Sequence, residues 1–367
     1  MLVAFRADAS DVIGSGHVMR CMTLAGALRQ DGADVTFVAR TLPDHLREKL
    51  IAEGHALHML PPISEAASAA RLPHAYWLDT SQATDARHTA AALDRTPVDW
   101  LVVDHYALDQ EWESALRGHC RHVMAIDDLA DRKHDCDLLL DQNFRRQYED
   151  RYGGLVPPHC VLLEGPFYAL LRPEYARLRA DVIPRSTLRR ILIYFGGSAF
   201  ADFTASVVDA VLSLGLPEFE IDVVVGAGAK RSDIDAMSAA EGVRVHQQVS
   251  SLANLIAEAN LGIGAVGATS WERLCLGLPT IAVTLADNQV KVAEELAAAG
   301  LIRLMGDISE VPADRIAGEL GRIAAAGGLE AWSRRCMDAC DGQGARRVVE
   351  RMLHLCKSNC GAVERSR

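Results

Sequence analysis

His17 follows a glycine-rich loop, Ile13-Gly14-Ser15-Gly16, where a histidine can act on water or on a bound anion. A short apolar run over 2–7 precedes the loop and predicts a buried strand. Apolar residues then recur at helical spacing from Val18 to Leu28. His17 is therefore predicted in the first turn of a helix, whose unpaired N–H groups and dipole favour negative charge. The same dipole disfavours a protonated imidazole, which biases His17 towards the neutral form that accepts a proton.

Two other chemistries fit part of this stretch. Arg6 and Arg20 add positive charge for an anionic ligand, so the loop could bind a phosphate while His17 only forms a hydrogen bond. The Gly-x-Gly lacks the third glycine of the dinucleotide fingerprint, which weakens the case for an NAD site, and no Gly-Lys-Ser/Thr follows, which excludes a P-loop. The stretch alone leaves the general-base and phosphate-loop interpretations open.

Two glycine-containing loops in the second half could also hold a phosphate. Gly196-Gly197-Ser198 ends a predicted strand and offers N–H groups and a hydroxyl, although a plain strand-to-helix turn has the same composition. Gly267-Ala268-Thr269-Ser270 again joins a strand to a helix. Glu272 lies about one turn inside that helix, where its carboxylate can accept two hydrogen bonds from a ribose diol. A first-turn glutamate also complements a helix dipole, but the string continues with Gly277-Leu278-Pro279 and Asn288-Gln289, a combination that is hard to obtain by chance.

The composition limits the classes of function. The 367 residues are 49% hydrophobic and 24% charged, which is typical of a globular chain of two domains. The net charge of −11 argues against nucleic-acid binding through a broad basic face. No long apolar run and no signal sequence is found, so no stable membrane insertion is expected. The nine cysteines form no Cys-x-x-Cys pair, and Cys336 and Cys340 fit buried thiols better than zinc ligands. These features predict a cytoplasmic protein.

Apolar runs that end in polar residues recur between predicted helices, as in Val103-Asp104-His105-Tyr106. Such strand ends hold the ligands of open parallel sheets. Each half begins with a strand, a glycine-rich loop and a helix, so the predicted fold class is α/β with two Rossmann-like domains facing across a cleft. We predict one domain at 1–166 and a second at 187–355, joined by a linker at 167–186 that contains aromatic residues and prolines.

The second half resembles the nucleotide-binding domain of GT-B enzymes that use UDP-sugars, notably the glucosaminyl transferases of peptidoglycan synthesis. Over about residues 1 to 350, the chain more closely resembles the hydrolases of pseudaminic acid biosynthesis, which cleave UDP-2,4-diacetamido-2,4,6-trideoxy-β-L-altropyranose. The stretches that carry this resemblance are Phe5–Ser10, Gly14–Arg20, Val103–Tyr106, Ile126–Asp128, Asp137–Asn143, Gly165–Pro173 and Gly267–Glu272.

This resemblance implies hydrolysis with inversion: water attacks the anomeric C1, the C1–O bond breaks and UDP leaves. It implies a UDP-sugar substrate, a UDP product, no cofactor and no metal, with His17 as the general base. The uracil is expected against the backbone near Leu255 and Ile256. Asp127 and Asp128 are expected to cap a turn. The residues expected to face the sugar are Arg6, Asp8, Gly14, Gly16, Arg20, His105, Tyr106, Asn143 and Tyr168. Those expected to bind the rest of UDP are Gly196, Gly197, Ser198, Gly267, Thr269, Ser270, Glu272, Asn288 and Gln289.

Three alternatives share the same motifs. A GT-B glycosyltransferase would keep the UDP site and the histidine base but pass the sugar to an acceptor alcohol. A UDP-sugar 2-epimerase would return a UDP-linked product. A non-catalytic nucleotide-binding protein would bind UDP without turnover. One sequence does not separate water from an acceptor at C1, so the transferase is the main alternative.

Overall fold

Two parallel β-sheets, of seven and six strands, organise the residues that the computed structural model describes. These residues are 1–63, 72–93, 97–146, 150–196, 200–215, 219–226, 229–247 and 249–364. The first unit comprises Met1–Asn143, Gln147–Leu170 and Gln343–Arg367, and the second comprises Phe144–Arg146 and Leu171–Gly342. Each unit is an α/β domain with its own sheet, as the alternation of apolar runs and helical patterns predicts.

The sheet of the first unit has the order β3-β2-β1-β4-β5-β6-β7. Its strands are β1 (Leu2–Ala7), β2 (Asp34–Ala39), β3 (Ala56–Met59), β4 (Val98–Asp104), β5 (Cys120–Ile126), β6 (Leu138–Asp141) and β7 (Val161–Glu164). Its α-helices are α1 (Gly16–Gln30), α2 (Asp44–Ala52), α3 (Gln82–Ala92), α4 (Gln110–Leu116) and α13 (Gly344–Glu364).

The second unit has the order β10-β9-β8-β11-β12-β13. Its strands are β8 (Arg190–Tyr194), β9 (Glu220–Val225), β10 (Val243–Gln247), β11 (Leu261–Ala265), β12 (Thr280–Thr284) and β13 (Ile302–Asp307). Its α-helices are α5 (Pro173–Arg179), α6 (Ala201–Leu212), α7 (Arg231–Ser238), α8 (Ala253–Glu258), α9 (Ala268–Cys275), α10 (Asp287–Ala298), α11 (Ala313–Ala326) and α12 (Leu329–Ala339).

The strand order reverses direction once in each sheet, between β1 and β4 and between β8 and β11. The paired strands of both sheets run parallel, so the carboxyl ends of neighbouring strands lie at the same edge of each sheet. Helices cover both faces of such a sheet, which explains why the β4 positions Leu101 and Val102 are both fully buried. Ligands of open α/β sheets bind at the reversal point, outside the carboxyl ends of the strands. His17 and Gly267 both follow strands at these points, β1 and β11.

The sequence predicts that the second domain extends to residue 355, but the structure assigns the last helix to the first unit. α13 belongs to the first unit, because its apolar residues Val348, Val349 and Met352 share a hydrophobic cluster with Val18 and Cys21 of α1. An amphipathic helix has the same pattern whichever sheet it covers. The pattern therefore predicts the helix but not its partner.

Within the described part of the chain, no helix is both long enough and apolar enough to cross a membrane.

A buried histidine in the first unit predicts a stability that depends on pH. His134 donates from Nδ1 to Glu113 Oε1 at 2.7 Å, and Asp127 lies 3.9 Å from its other ring nitrogen. Burial alone would lower the pKa of His134, but Glu113 and Asp127 outweigh it and raise the pKa to about 9. The charged ring therefore stabilises the fold fully below pH 6.5, and this contribution, on the order of 3 kcal/mol, is lost as the pH rises through 9.

Denaturant unfolding of the wild type at pH 6, 7.5 and 9, followed by tryptophan fluorescence, measures this loss. We expect His134→Gln to be less stable at pH 6 and to lose much less stability between pH 6.5 and 9. Equal pH slopes for the two proteins would contradict the assignment. The exposed His45 provides a matched control, since His45→Gln should unfold like the wild type.

Candidate active site

His17 is paired with the carboxylate at the end of β4. It is the second residue of α1, in the first turn, as predicted. Its Nδ1 lies 2.6 Å from Asp104 Oδ1, and an ionised carboxylate can only accept a hydrogen bond. The neutral ring must therefore carry its proton on Nδ1, which leaves the Nε2 lone pair free to take a proton. The side chain is 10% exposed, whereas that of Asp104 is fully buried.

Asp104 is held ionised by the guanidinium of Arg20. Arg20 binds it through two hydrogen bonds, Nε to Oδ2 at 2.6 Å and Nη2 to Oδ1 at 2.7 Å. Burial alone would raise the pKa of Asp104, but Arg20 and His17 lower it well below its ordinary value. A permanently ionised carboxylate behind Nδ1 orients the ring and stabilises the imidazolium that forms when Nε2 accepts a proton.

Asp128 links Arg20 to Tyr106. Its Oδ2 accepts from Arg20 Nη1 at 2.6 Å and from the Tyr106 hydroxyl at 2.5 Å. The Tyr106 ring meets His17 edge-on, with ring centroids 4.6 Å apart. Asn143 Nδ2 donates to the Asp128 carbonyl at 3.2 Å. The predicted sugar residues Arg20, Tyr106 and Asn143 are thus joined to one another through Asp128, a residue that the sequence predicts as a turn cap.

Asp127, by contrast, caps a turn as expected. Its carboxylate accepts from the backbone N–H groups of Leu129 and Ala130, at 3.3 and 2.8 Å, and from Arg132 at 2.7 Å. The capping prediction is therefore confirmed for Asp127 and wrong for Asp128. Adjacent side chains at a strand end point in different directions, and only the packed structure shows which of them faces Arg20.

Arg6, Asp8 and His105 lie inside the first unit, with exposed fractions of only 0–2%. Arg6 bonds Asp8 and Asp85 at 2.9 and 2.8 Å, and Arg40 bonds Asp85 at 2.8 Å. His105 Nε2 lies 3.2 Å from Asp8 Oδ2. The two arginines and two carboxylates balance in charge and tie the ends of β1 and β2 to α3. The structure therefore places these three predicted sugar residues within a buried network of ion pairs.

His105 is poorly suited to act as a second base. Its Nδ1 accepts the Ala107 backbone N–H at 3.2 Å, so its proton resides on Nε2, facing Asp8. Burial lowers its pKa, which keeps the ring neutral. Neither nitrogen is available to an external proton donor.

The remaining predicted sugar residues of the first unit are less buried. Gly14 is exposed and has φ +79°, a conformation that glycine adopts without strain, and Gly16 begins α1. Ser15 makes no side-chain cap and the first turn of α1 has no acidic residue, so this end of the helix suits an anion. Tyr168 packs, partly buried, against the hydrophobic cluster of the first unit.

In the second unit, three predicted UDP-binding segments follow neighbouring strands. Gly196 follows β8 with φ +102°, Gly267 separates β11 from α9, and Gln289 lies in the first turn of α10, after β12. The Gln289 amide lies close to Gly267: its Nε2 is 3.8 Å from the position that a Cβ would occupy at this glycine. Gly197 and Ser198 fall outside the described residues. The other predicted residues of these segments are Thr269 and Ser270 in α9 and the exposed Asn288 in α10.

Ser270 is engaged within the protein rather than directed outward. Its Oγ accepts the Gly267 N–H at 3.2 Å and a hydrogen bond from Arg273 at 3.3 Å, and the residue is 2% exposed. It therefore shapes the start of α9. The first backbone N–H groups of this helix remain the anion-binding feature, as at any helix N-terminus.

Glu272 is a carboxylate beside the buried hydroxyl of Tyr175, and it keeps unused hydrogen-bonding capacity. Burial raises its pKa to about 7. Its Oε2 is shielded from water and has no hydrogen-bond partner among the described residues. Leaving a buried acceptor unpaired costs about 1–3 kcal/mol, which a donor from a ligand would recover.

Arg185 holds the ends of the helices that carry Ile256 and Glu272. Its guanidinium donates to the carbonyls of Ile256 at 3.0 Å, Ala257 and Ala259 at 3.2 Å, and Leu276. The Ile256 N–H donates to Leu252, and the residue is fully buried. The Ile256 N–H is thus used within the helix, whereas its carbonyl oxygen keeps a second lone pair. The position of the uracil near Leu255 and Ile256 stays a prediction.

Sequence reasoning missed Asp104, Asp128 and Trp77 as residues of the His17 surroundings. Asp104 and Asp128 belong to motif stretches of the sequence, but the sequence does not predict that either contacts Arg20 or His17. Asp104 ends β4, which is adjacent to β1, and Asp128 lies just after β5, which is adjacent to β4. Polar residues after consecutive parallel strands were the available signal. Among the described residues, no group of three His, Cys, Asp or Glu side chains could hold a metal ion.

The two parallel sheets with these strand orders give the chain the GT-B fold. MurG of Acinetobacter baumannii has a TM-score of 0.63 at 16% identity, covering 96% of this chain and all of that one. The calicheamicin glycosyltransferase CalG4 has a TM-score of 0.65 at 14% identity, covering 96% and 98%. At these identities the similarity establishes the fold, which confirms the predicted fold class.

Three curated proteins are distantly similar in sequence. An uncharacterised protein of Methanocaldococcus jannaschii is 21% identical over 77% of this chain, which spans only 55% of that protein. The UDP-2,4-diacetamido-2,4,6-trideoxy-beta-L-altropyranose hydrolase of Campylobacter jejuni is 24% identical over 82% of this chain and 97% of its own length. The spore coat polysaccharide biosynthesis protein SpsG of Bacillus subtilis is 23% identical over 44% and 49%. No family model matches the chain.

Proposed function

We propose that this protein is a metal-independent hydrolase that cleaves UDP-2,4-diacetamido-2,4,6-trideoxy-β-L-altropyranose at C1 with inversion, releasing UDP and the free sugar. The observation that carries the proposal is the 2.6 Å contact between His17 Nδ1 and Asp104 Oδ1, which leaves Nε2 as a proton acceptor. We also propose that the protein works in the cytoplasm, where buried thiols such as those of Cys21 and Cys336 would stay reduced.

In the proposed step, His17 Nε2 removes a proton from water while the water oxygen attacks C1. The C1–O bond breaks and its electron pair leaves with the β-phosphate of UDP. Asp104 stabilises the resulting imidazolium, which then loses its proton to solvent. A general base of this kind accelerates a reaction by about 10²–10⁴-fold. UDP is a stable leaving group when donors meet its phosphates, and the N-terminus of α9, whose first turn has no acidic residue, is suited to that task.

The similarity to the Campylobacter jejuni protein supports the choice of sugar and of water as the nucleophile, because that protein is named for this hydrolysis and is covered almost entirely. A glycosyltransferase is the second candidate. The solved structures of this fold include glycosyltransferases such as CalG4, and a histidine base serves an acceptor alcohol as well as water.

Incubation of the purified protein with the UDP-sugar, without an acceptor, separates the two candidates. Proton NMR should show free sugar of inverted anomeric configuration and stoichiometric UDP within minutes, also in the presence of EDTA. Intact UDP-sugar that is nevertheless bound would favour the transferase. A UDP-linked epimer would exclude both.

Glu272 gives a separate prediction for the nucleotide. Glu272→Ala removes the proposed acceptor of the ribose diol and should weaken UDP binding by roughly 10- to 100-fold, because hydrogen bonds to a charged group contribute about 1.5–3 kcal/mol. Calorimetric titration with UDP and with 2′-deoxy-UDP measures this effect. The wild type should prefer UDP, and the variant should not distinguish the two ligands. The exposed Glu310 is a matched control, and a Glu272→Ala protein that still prefers UDP would overturn the ribose assignment.

A further inference from the structure

Four aromatic rings gather around the base in the first unit. Trp77 stacks on Tyr106 with centroids 5.2 Å apart and planes 24° apart. Both rings meet His17 edge-on, at 5.7 and 4.6 Å. His74 lies 4.7 Å from Trp77 and 5.4 Å from Tyr106. Tyr76 extends the group outward and is 58% exposed. We call these five residues the ring cluster.

Two nitrogens of the ring cluster have no hydrogen-bond partner among the described residues. Trp77 Nε1 and His74 Nδ1 are both shielded from water and unpaired. An indole N–H can only donate, so a ligand that satisfies Trp77 must bring an acceptor. Burial lowers the pKa of His74, so its ring is neutral and can also donate. The nearby carboxylates Asp104 and Asp128 are occupied by Arg20 and Tyr106.

The segment that carries His74 and Trp77 also contains a strained residue. Asp79 has φ +55°, a conformation that residues other than glycine rarely adopt. Strain of this kind persists where the surrounding structure over-determines a conformation, often at ligand-binding segments. The backbone hydrogen bonds of Ala75, Trp77 and Leu78 in this segment are local, to Leu72, His74 and Ala75. Leu78 and Trp77 also pack against a hydrophobic cluster of the first unit, so core packing and stacking on Tyr106 together hold the segment.

The ring cluster thus offers aromatic faces and unpaired donors beside a base. A protonated amine could be attracted to the aromatic faces, but it cannot accept from an indole N–H. A hydroxyl can accept, but it has no apolar part to cover the rings. An N-acyl group combines a carbonyl acceptor with a flat amide and a methyl group, which suits both features.

We propose that the ring cluster is a recognition site for an N-acetyl group of the sugar, with Trp77 Nε1–H donating to the acyl oxygen. The proposal rests on the proposed function insofar as the sugar is a diacetamido sugar. It makes Trp77 the residue that distinguishes acylated from free amino sugars.

The test measures binding separately from turnover. In a His17→Ala background, which prevents hydrolysis, calorimetry gives the Kd of the UDP-diacetamido sugar and of the corresponding UDP-diamino sugar. The protein with Trp77 should bind the acetylated ligand at least 10-fold more tightly. Trp77→Phe, which keeps a ring but removes the N–H, should reduce this preference about 10-fold. UDP alone, used as a folding control, should bind equally to both proteins.

An unchanged preference in Trp77→Phe, with UDP binding intact, would overturn the proposal. So would an equal loss for both sugars, which would give Trp77 a purely structural role. These binding outcomes test the ring cluster alone. The proposed function is tested separately, by whether the wild-type protein releases UDP from the sugar. In the active background, we expect Trp77→Phe to raise KM for the diacetamido substrate about 10-fold while kcat changes less than 3-fold.

Discussion

His17→Ala is expected to reduce the rate of UDP release from the UDP-sugar by about 10³-fold. The variant loses the ring whose Nε2 can take a proton from water while Asp104 holds Nδ1, and general-base catalysis contributes about 10²–10⁴-fold. The loss should fall on kcat, because His17 is not among the residues proposed to bind UDP. Time-resolved NMR under saturating substrate measures kcat, and calorimetry with UDP shows whether the binding site is intact.

His45→Ala is the matched control, since His45 is an exposed histidine on α2 of the same unit. It should retain full activity. Turnover above about a tenth of the wild-type rate in His17→Ala would exclude His17 as the base. The same holds if the two variants lose activity equally, because the loss would then reflect general damage to the fold.

Asp104→Asn is expected to lower kcat by at least about 10²-fold while leaving UDP affinity unchanged. The amide can donate to His17 Nδ1, which would select the ring form with its proton on Nε2 and remove the free lone pair. The variant also removes the charge that faces the buried Arg20. We therefore expect a lower melting temperature as well, because an uncompensated buried charge is costly.

The two effects of Asp104→Asn separate if kcat is measured well below the melting temperature of the variant, with UDP binding as the measure of folded protein. Asp44→Asn, at a carboxylate that is 87% exposed and 3.6 Å from Arg47, is the control and should change neither quantity. Activity within 3-fold of the wild type in Asp104→Asn would show that the carboxylate does not set the proton position on His17.

The local features of both units follow from the sequence alone. The glycine loop and helical spacing after the first strand correctly predicted His17 in the first turn of α1. The apolar run over 101–103 correctly predicted a buried parallel strand that ends in polar residues. These predictions succeed because periodicity, glycine conformation and helix N-termini depend on neighbours within a few residues along the chain.

Which polar residues meet depends on the tertiary structure. Asp104 contacts His17 across 87 positions, and Asp128 contacts Arg20 across 108. The same applies to Arg6, whose burial against Asp85 follows from a contact across 79 positions. The sheet order that places β4 beside β1 arises from crossover connections, so partners distant in sequence become neighbours at the sheet edge. Residue types define what each group can do chemically, but the proton-accepting nitrogen of His17 is selected by a carboxylate that the fold brings to it.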